Sequence, residues 1–201
     1  MLKIGIARGI PKQHLIPAFQ AALEGGFSFL EITMNTEGAA ELIYAAAREF
    51  SGKAQIGAGT VTDLDEAKEA LGAGAQFIVS PLVNTELIDY CKSREIPVFP
   101  GALTPTEIYE AWKAGATMVK VFPVKCMGGA EYIKELRGPF DKMKLLACGG
   151  VTPQNLPDYV KAGIDGIGIG GQLFRKDWIE SQKYENIRET ALLFDSHTDI
   201  R

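Results

Sequence analysis

Met118-Val119-Lys120-Val121-Phe122-Pro123 is an apolar, β-branched run that contains one lysine, and its composition is typical of a buried β-strand. Short apolar segments of this kind recur at intervals of roughly 20 to 25 residues, and a helical pattern follows each one. This alternation is the signature of repeated βα units. We expect eight strands, near residues 3–7, 29–34, 55–59, 77–80, 98–101, 118–122, 144–148 and 166–169.

Helix-start signals lie between these segments, at Pro11, Asn84, Thr104-Pro105-Thr106-Glu107 and Thr152-Pro153-Gln154-Asn155. Eight βα units in a chain of 201 residues predict one domain, residues 1–201, folded as a closed (β/α)8 TIM barrel. An open doubly wound sheet is the alternative. In a barrel, the active site lies at the carboxyl ends of the strands. We expect only the tail from Asp195 to Arg201 to be loose.

The composition narrows the class of protein. The chain is 46% hydrophobic and 23% charged, with a net charge of -4, as in a soluble globular protein. It has no basic block, so nucleic acid and anionic membranes are not expected partners. No apolar run approaches a bilayer span, and the start Met1-Leu2-Lys3-Ile4 does not resemble a signal peptide, so we expect a cytoplasmic protein.

The cysteines and histidines give no sign of a metal site. Three cysteines and two histidines without ligand-like spacing predict no metal, no disulfide and no cofactor. Cys148 precedes a glycine pair, and we assign it a packing role because no histidine lies near it in sequence.

Lys120 is the first candidate catalytic residue. Strand side chains alternate between faces, so Lys120 shares one face with Met118 and Phe122. Burial disfavours the charged form of an amine, and a neutral amine attacks carbonyl carbon, so the residue is a candidate Schiff-base lysine. A lysine that extends its ammonium to solvent from a strand end is the alternative.

Glu31 is the second candidate. The run Leu30-Glu31-Ile32-Thr33-Met34-Asn35 alternates strictly, which places Glu31, Thr33 and Asn35 on one face. The apolar face must meet the helices, so the polar face points into the barrel. Glu31 then becomes a general acid or base in the same cavity as Lys120, and the two groups titrate as a coupled pair.

Other strand ends carry ligand-binding signals. Gly57 and Gly59 allow close backbone approach, which leaves Thr60 free to bind a ligand oxygen. Arg8 ends the first strand, and two interpretations of it stay open: contact with a bound anion, or a solvated surface cation. Pro81 lies at the rim.

Two glycine pairs end the last two strands. Barrels often bind phosphate there, against glycine amides and a helix N-terminus, although paired glycines also form tight turns. The candidate phosphate-binding residues are Gly149, Gly150, Gly170 and Gly171.

These motifs, in this order and spacing, resemble the KDPG/KHG aldolase family from about residue 4 to residue 174. The resemblance implies that Lys120 forms an imine with the C2 carbonyl of a 2-keto acid and that Glu31 moves protons, partly through water. It also implies a homotrimer. The motifs that carry it are Leu30-Glu31-Ile32-Thr33, Ile56-Gly57-Ala58-Gly59-Thr60-Val61, Ser80-Pro81, Pro100-Gly101, Lys120-Val121-Phe122-Pro123 and Gly149-Gly150-Val151.

The resemblance also implies roles around the substrate. Thr60 and neighbouring backbone would hold the pyruvate carboxylate, with Pro81 and Phe122 packed beside it, and the four glycines would hold a phosphate. The implied reaction belongs to carbohydrate metabolism of the Entner-Doudoroff type.

The chain departs from the family pattern where substrate choice is decided. Asn35 stands where phosphogluconate-type members commonly have arginine, and both Asn35 and Arg8-Gly9-Ile10 resemble the phosphogalactonate-type branch. Cys148 and Gly171-Gln172 replace a usual threonine and serine, which removes two hydroxyl donors. Lys125 either compensates for these lost donors as a cation or extends into solvent.

We therefore expect a class I aldolase that cleaves a 2-keto-3-deoxy-6-phosphosugar acid to pyruvate and glyceraldehyde 3-phosphate. Within the family, 4-hydroxy-2-oxoglutarate, giving pyruvate and glyoxylate, and the phosphogalactonate are the alternative substrates. Outside the family, two alternatives stay open: a phosphate-binding epimerase or isomerase, and a non-catalytic anion-binding barrel.

Overall fold

The computed structural model describes residues 1–196, and in them nine parallel strands form one sheet. The strands are β1 (Leu2–Ala7), β2 (Phe29–Thr33), β3 (Gln55–Gly59), β4 (Ile78–Val79), β5 (Val98–Phe99), β6 (Gly101–Ala102), β7 (Val119–Val121), β8 (Leu145–Cys148) and β9 (Gly166–Ile169). The helices are α1 (Lys12–Glu24), α2 (Ala39–Glu49), α3 (Leu64–Gly72), α4 (Thr85–Lys92), α5 (Pro105–Ala114), α6 (Ala130–Arg137), α7 (Leu156–Lys161), α8 (Lys176–Glu180) and α9 (Tyr184–Asp195), with a short 3-10 helix at Val124–Met127.

The sheet closes on itself. Its order is β5-β4-β3-β2-β1-β9-β8-β7-β6, so the first and last strands along the chain pair directly, with Leu2 opposite Gly166. The two edges are β5 and β6, which are consecutive in sequence and joined by Pro100. The predicted TIM barrel is confirmed, and the open doubly wound sheet is wrong.

Pro100 explains why the predicted fifth strand is two short strands. Proline has no N–H to donate to the ladder, so regular pairing is interrupted there. Its carbonyl still accepts a hydrogen bond from the Lys120 N–H at 2.9 Å, which ties the interrupted strand to β7.

All four expected helix starts are observed. Pro11, Asn84 and Thr104 are N-cap residues, and Thr104 forms a capping box with Glu107. The fourth signal ends at Asn155, which is the N-cap of α7, and its Oδ1 accepts a hydrogen bond from the Thr152 N–H at 2.8 Å in the turn before the helix.

The core has two layers. A larger layer packs the outer face of the barrel against the helices, and a smaller one fills the barrel interior. The buried interior residues are Ile4, Phe77, Val79, Phe99, Met118, Leu146 and Cys148. Phe77 and Phe99 meet edge to face with their centroids 5.9 Å apart, so the barrel has a packed apolar floor below its polar residues.

The chain end is partly described. Helix α9 extends to Asp195, which pairs with Lys3, and the Ser196 N–H donates to Leu192 O at 3.0 Å, so the tail that was expected to be loose begins as a helix end. Its residues 197–201 lie outside the described residues. Within residues 1–196, no helix combines the length and apolar character needed to cross a membrane.

Candidate active site

Lys120 lies in the interior of the barrel. The residues on either side of it, Val119 and Val121, are fully buried against the helix layer, so the lysine side chain points inward on the face of Met118. It is 5% exposed, and its Nζ lies 4.8 Å from the centroid of the Phe122 ring. A buried amine in contact with an aromatic wall fits the role of a nucleophile better than that of a solvated surface cation.

Glu31 lies deeper, on β2, and is 1% exposed. Its Oε2 has no hydrogen-bond partner among the described residues. Burial raises the pKa of Glu31 to about 7, against the opposing attraction of Lys120 and Arg8. A carboxyl group with a pKa near neutrality can both donate and accept a proton at physiological pH, as a general acid or base must.

Two glycines on β3 make room for this arrangement. A Cβ at Gly59 would overlap Glu31 Oε1, and a Cβ at Gly57 would overlap the ring of Phe77. The glycines therefore allow the carboxyl group and the aromatic floor to occupy the same barrel interior.

Arg8 connects two of the predicted substrate-binding residues. Its Nη1 donates to Asn35 Oδ1 at 2.9 Å, and its Nη2 donates to Thr60 Oγ1 at 3.0 Å. Thr60 has φ 59, in the left-handed region that β-branched residues avoid. Strain of this kind persists where the surroundings enforce it and is common at ligand sites. The three side chains thus form one connected polar edge.

A cavity of about 370 Å³ opens above these residues, a volume suited to a small molecule. Nine of the eleven predicted site residues line it: Arg8, Thr60, Pro81, Lys120, Phe122, Gly149, Gly150, Gly170 and Gly171. Glu31 and Asn35 do not line it. Glu31 lies behind the wall, next to Gly59, and Asn35 reaches the cavity only through Arg8.

The glycines at the far end have conformational reasons to be glycine. Gly149 and Gly150 have φ values of 93 and 88, which favour glycine. A Cβ at Gly150 would also lie 2.7 Å from Lys125 Cβ, so the backbone there is closely covered on its outer side.

Cys148 also lines the cavity, although the sequence suggested only packing. It is 4% exposed, and burial raises the pKa of its thiol, so it presents a neutral wall. Cys148 follows the inward-facing Leu146 by two residues on the same strand, and this spacing was the sequence signal that Cys148 also faces the barrel interior. Ile6 and Gln172 line the cavity as well. Within residues 1–196, no group of three or more His, Cys, Asp or Glu residues is placed to hold a metal ion.

A closed parallel barrel that holds a buried amine and a carboxyl group of raised pKa beside a small-molecule cavity is the arrangement of an imine-forming enzyme. A family model described as KDPG and KHG aldolase matches residues 4–190. The chain belongs to this family, so the predicted assignment to the aldolases, which are lyases, is confirmed.

Curated relatives are similar over most of the chain. The 2-dehydro-3-deoxy-6-phosphogalactonate aldolase of Escherichia coli (strain K12) is 36% identical over 193 residues, which cover 95% of this chain and 91% of the relative. The 2-dehydro-3-deoxy-phosphogluconate aldolase of Treponema pallidum (strain Nichols) is 37% identical over 148 residues, covering 74% of this chain and 70% of the relative.

Solved structures agree with the fold. A native KDPGal structure matches with a TM-score of 0.91 at 33% identity, covering 98% of this chain and 94% of the other. A KDPG aldolase from Legionella pneumophila, with pyruvate captured at low pH as a covalent carbinolamine intermediate, matches with a TM-score of 0.87 at 27% identity, covering 94% and 92%.

Proposed function

We propose that this protein is a class I aldolase that reversibly cleaves a 2-keto-3-deoxy-6-phosphosugar acid to pyruvate and glyceraldehyde 3-phosphate. The observation that carries the proposal is the buried Lys120 in a cavity backed by Glu31, whose pKa is raised to about 7. The names of the relatives and the pyruvate carbinolamine of the Legionella enzyme support it.

The chemistry begins at Lys120. The Lys120 amine attacks the C2 carbonyl of the keto acid to form a carbinolamine, and loss of water gives a protonated imine. The C4 hydroxyl gives up its proton, the aldehyde leaves, and the electron pair of the C3–C4 bond moves into the imine to form an enamine. Protonation at C3 and hydrolysis then release pyruvate and free Lys120.

Glu31 moves the protons in this scheme. Because it lies behind the cavity wall, it acts through a water molecule rather than by direct contact with the substrate. Its raised pKa lets the same group accept the proton of the C4 hydroxyl and return a proton to C3.

The other residues orient the substrate. Arg8 and Thr60, held together at 3.0 Å, bind the carboxylate, with Pro81 and Phe122 beside the reacting carbons. Asn35 fixes Arg8 from outside the cavity. The phosphate occupies the end lined by Gly149, Gly150, Gly170 and Gly171.

The phosphogalactonate is the second candidate substrate. Asn35 favours it, because an asparagine at this position resembles the phosphogalactonate-type branch and here accepts a hydrogen bond from Arg8. Steady-state rates with the phosphogluconate, the phosphogalactonate and 4-hydroxy-2-oxoglutarate decide among the three. A higher kcat/KM for either phosphorylated substrate supports phosphosugar cleavage, and a higher value for 4-hydroxy-2-oxoglutarate contradicts it.

The homotrimer and the cytoplasmic location remain predictions within this proposal. Two large apolar side chains exposed in a surface groove next to the cavity support self-association, since Leu82 is 42% and Phe122 36% exposed. Sedimentation equilibrium tests the trimer, and a monomeric mass at micromolar concentration contradicts it.

Borohydride trapping tests the imine. The protein is incubated with pyruvate and sodium borohydride, and the added mass is located by peptide mapping. We expect an adduct on Lys120, none in Lys120→Met, and full labelling of the exposed control variant Lys142→Met. A folded protein without an adduct at Lys120 would refute the class I mechanism and favour an epimerase or a non-catalytic barrel.

A further inference from the structure

Thr36 lies in the loop after β2, one residue past Asn35, and it contacts the loop after β1. Its Oγ1 accepts a hydrogen bond from the Gly9 N–H at 3.0 Å. Gly9 directly follows Arg8 in the chain. The loop after β2 therefore holds the loop after β1 at two points, since Asn35 accepts from the Arg8 guanidinium and Thr36 accepts from the backbone next to it.

Thr36 is itself firmly held. It is buried, its N–H donates to Thr33 O at 2.9 Å, and its carbonyl accepts from the Ala39 N–H at 3.1 Å. Its Oγ1 also lies 3.0 Å from Oγ1 of Thr33, another buried residue, so one of the two hydroxyls donates to the other. These bonds fix the Thr36 hydroxyl relative to the end of β2 and the start of α2.

The Gly9 side of this contact has less support from packing. Arg8 and Gly9 are both exposed, and a Cβ on Gly9 would meet no described residue within 4 Å. Gly9 has φ 63, in the left-handed region that favours glycine. Exposed backbone with few packing contacts moves easily, so its hydrogen bonds decide where it lies. The bond to Thr36 thus helps to set the direction in which Arg8 leaves β1.

We propose that Thr36 is a positioning residue, which orients Arg8 toward the carboxylate of the keto acid by holding the Gly9 N–H. This inference rests on the proposed function, in which Arg8 binds that carboxylate. The Arg8 guanidinium contacts Asn35 at 2.9 Å and Thr60 at 3.0 Å at the same time, so a small shift of the backbone beside it breaks one of the two bonds. The carboxylate is present before and during bond cleavage, so the loss falls on KM rather than on kcat.

Two substitutions separate the hydroxyl from the rest of the side chain. Thr36→Val removes the hydroxyl and keeps the branched shape, whereas Thr36→Ser keeps the hydroxyl. Thr117→Val is the matched control, because the Thr117 hydroxyl likewise accepts a backbone N–H, from Val98 at 2.9 Å, but at the amino ends of β5 and β7. Circular dichroism checks that each variant is folded.

The rate of borohydride trapping on Lys120 is measured over a range of pyruvate concentrations, because pyruvate carries the carboxylate and no phosphate. In Thr36→Val, we expect the half-saturating pyruvate concentration to rise about fivefold through the loss of one neutral hydrogen bond, with the maximal rate retained. Thr36→Ser should stay within about twofold of the parent, because its hydroxyl still accepts from Gly9. Thr117→Val should match the parent.

An Arg8→Met background shows whether the effect passes through Arg8. Arg8→Met should itself raise the half-saturating concentration, and adding Thr36→Val should then change it by less than about twofold. A full further increase in the double variant, an unchanged value in Thr36→Val, or an equal rise in Thr117→Val overturns the role of Thr36 and leaves the imine mechanism in place. A parent protein that gains no adduct at any pyruvate concentration refutes the imine mechanism, and this role with it.

Discussion

Replacing Glu31 by glutamine should change how stability depends on pH. The side chain is 1% exposed with an unpaired Oε2, and burial raises its pKa from 4.5 to about 7. Below pH 4.5 the group is protonated in both folded and unfolded chains. As pH rises through the window from 4.5 to about 7, the unfolded chain releases its proton first, so the folded state of the parent loses stability.

The size of the effect follows from the two pKa values. A change from 4.5 to about 7 corresponds to about 3 kcal/mol of free energy of unfolding lost by pH 8. Glutamine keeps the shape of the carboxylic acid and cannot ionise, so Glu31→Gln avoids this loss. Its free energy of unfolding relative to the parent should therefore rise by about 3 kcal/mol between pH 4 and pH 8.

Urea unfolding at a series of pH values, at one protein concentration, measures this difference. Glu49→Gln is the matched control, because the same substitution at an exposed helix position should give a difference that stays flat with pH. A flat difference for Glu31→Gln would refute the reasoning, since it would mean that burial does not hold the proton on Glu31. Borohydride trapping of pyruvate should persist in Glu31→Gln while turnover falls.

Three further substitutions probe the cavity edge. Gly59→Ala places a methyl group against Glu31 Oε1, so kcat should fall at least about tenfold through displacement of the carboxyl group, and an unchanged kcat would contradict that contact. Thr60→Gly relieves a residue with φ 59, so urea unfolding should show stability preserved to within about 1 kcal/mol. KM for the keto acid should rise, because Arg8 loses its hydrogen-bond partner. A KM equal to the parent's would remove Thr60 from the site. Asn35→Arg removes the acceptor for Arg8, so the ratio of kcat/KM for the phosphogluconate and the phosphogalactonate should change, and a constant ratio would make Asn35 a bystander.

Much of the fold could be predicted from the sequence because its signals are local. Apolar segments and helix caps such as Asn84 and Thr104 each depend on a few neighbouring residues. The split of the fifth strand at Pro100 was harder to foresee. Whether a proline interrupts a strand or ends it depends on the strands beside it. Here the segment before Pro100 bonds Thr117, and the segment after it pairs with β7.

For the candidate site residues, the sequence predicted the direction of a side chain better than its depth in the barrel. Alternation within single strands placed Lys120 and Glu31 inside the barrel, and the structure shows both there. Alternation predicts the face to which a side chain points, but not how far into the barrel the side chain lies. Glu31 therefore lies behind the cavity wall, and Cys148, which ends an inward-facing strand, lines the cavity instead of only packing.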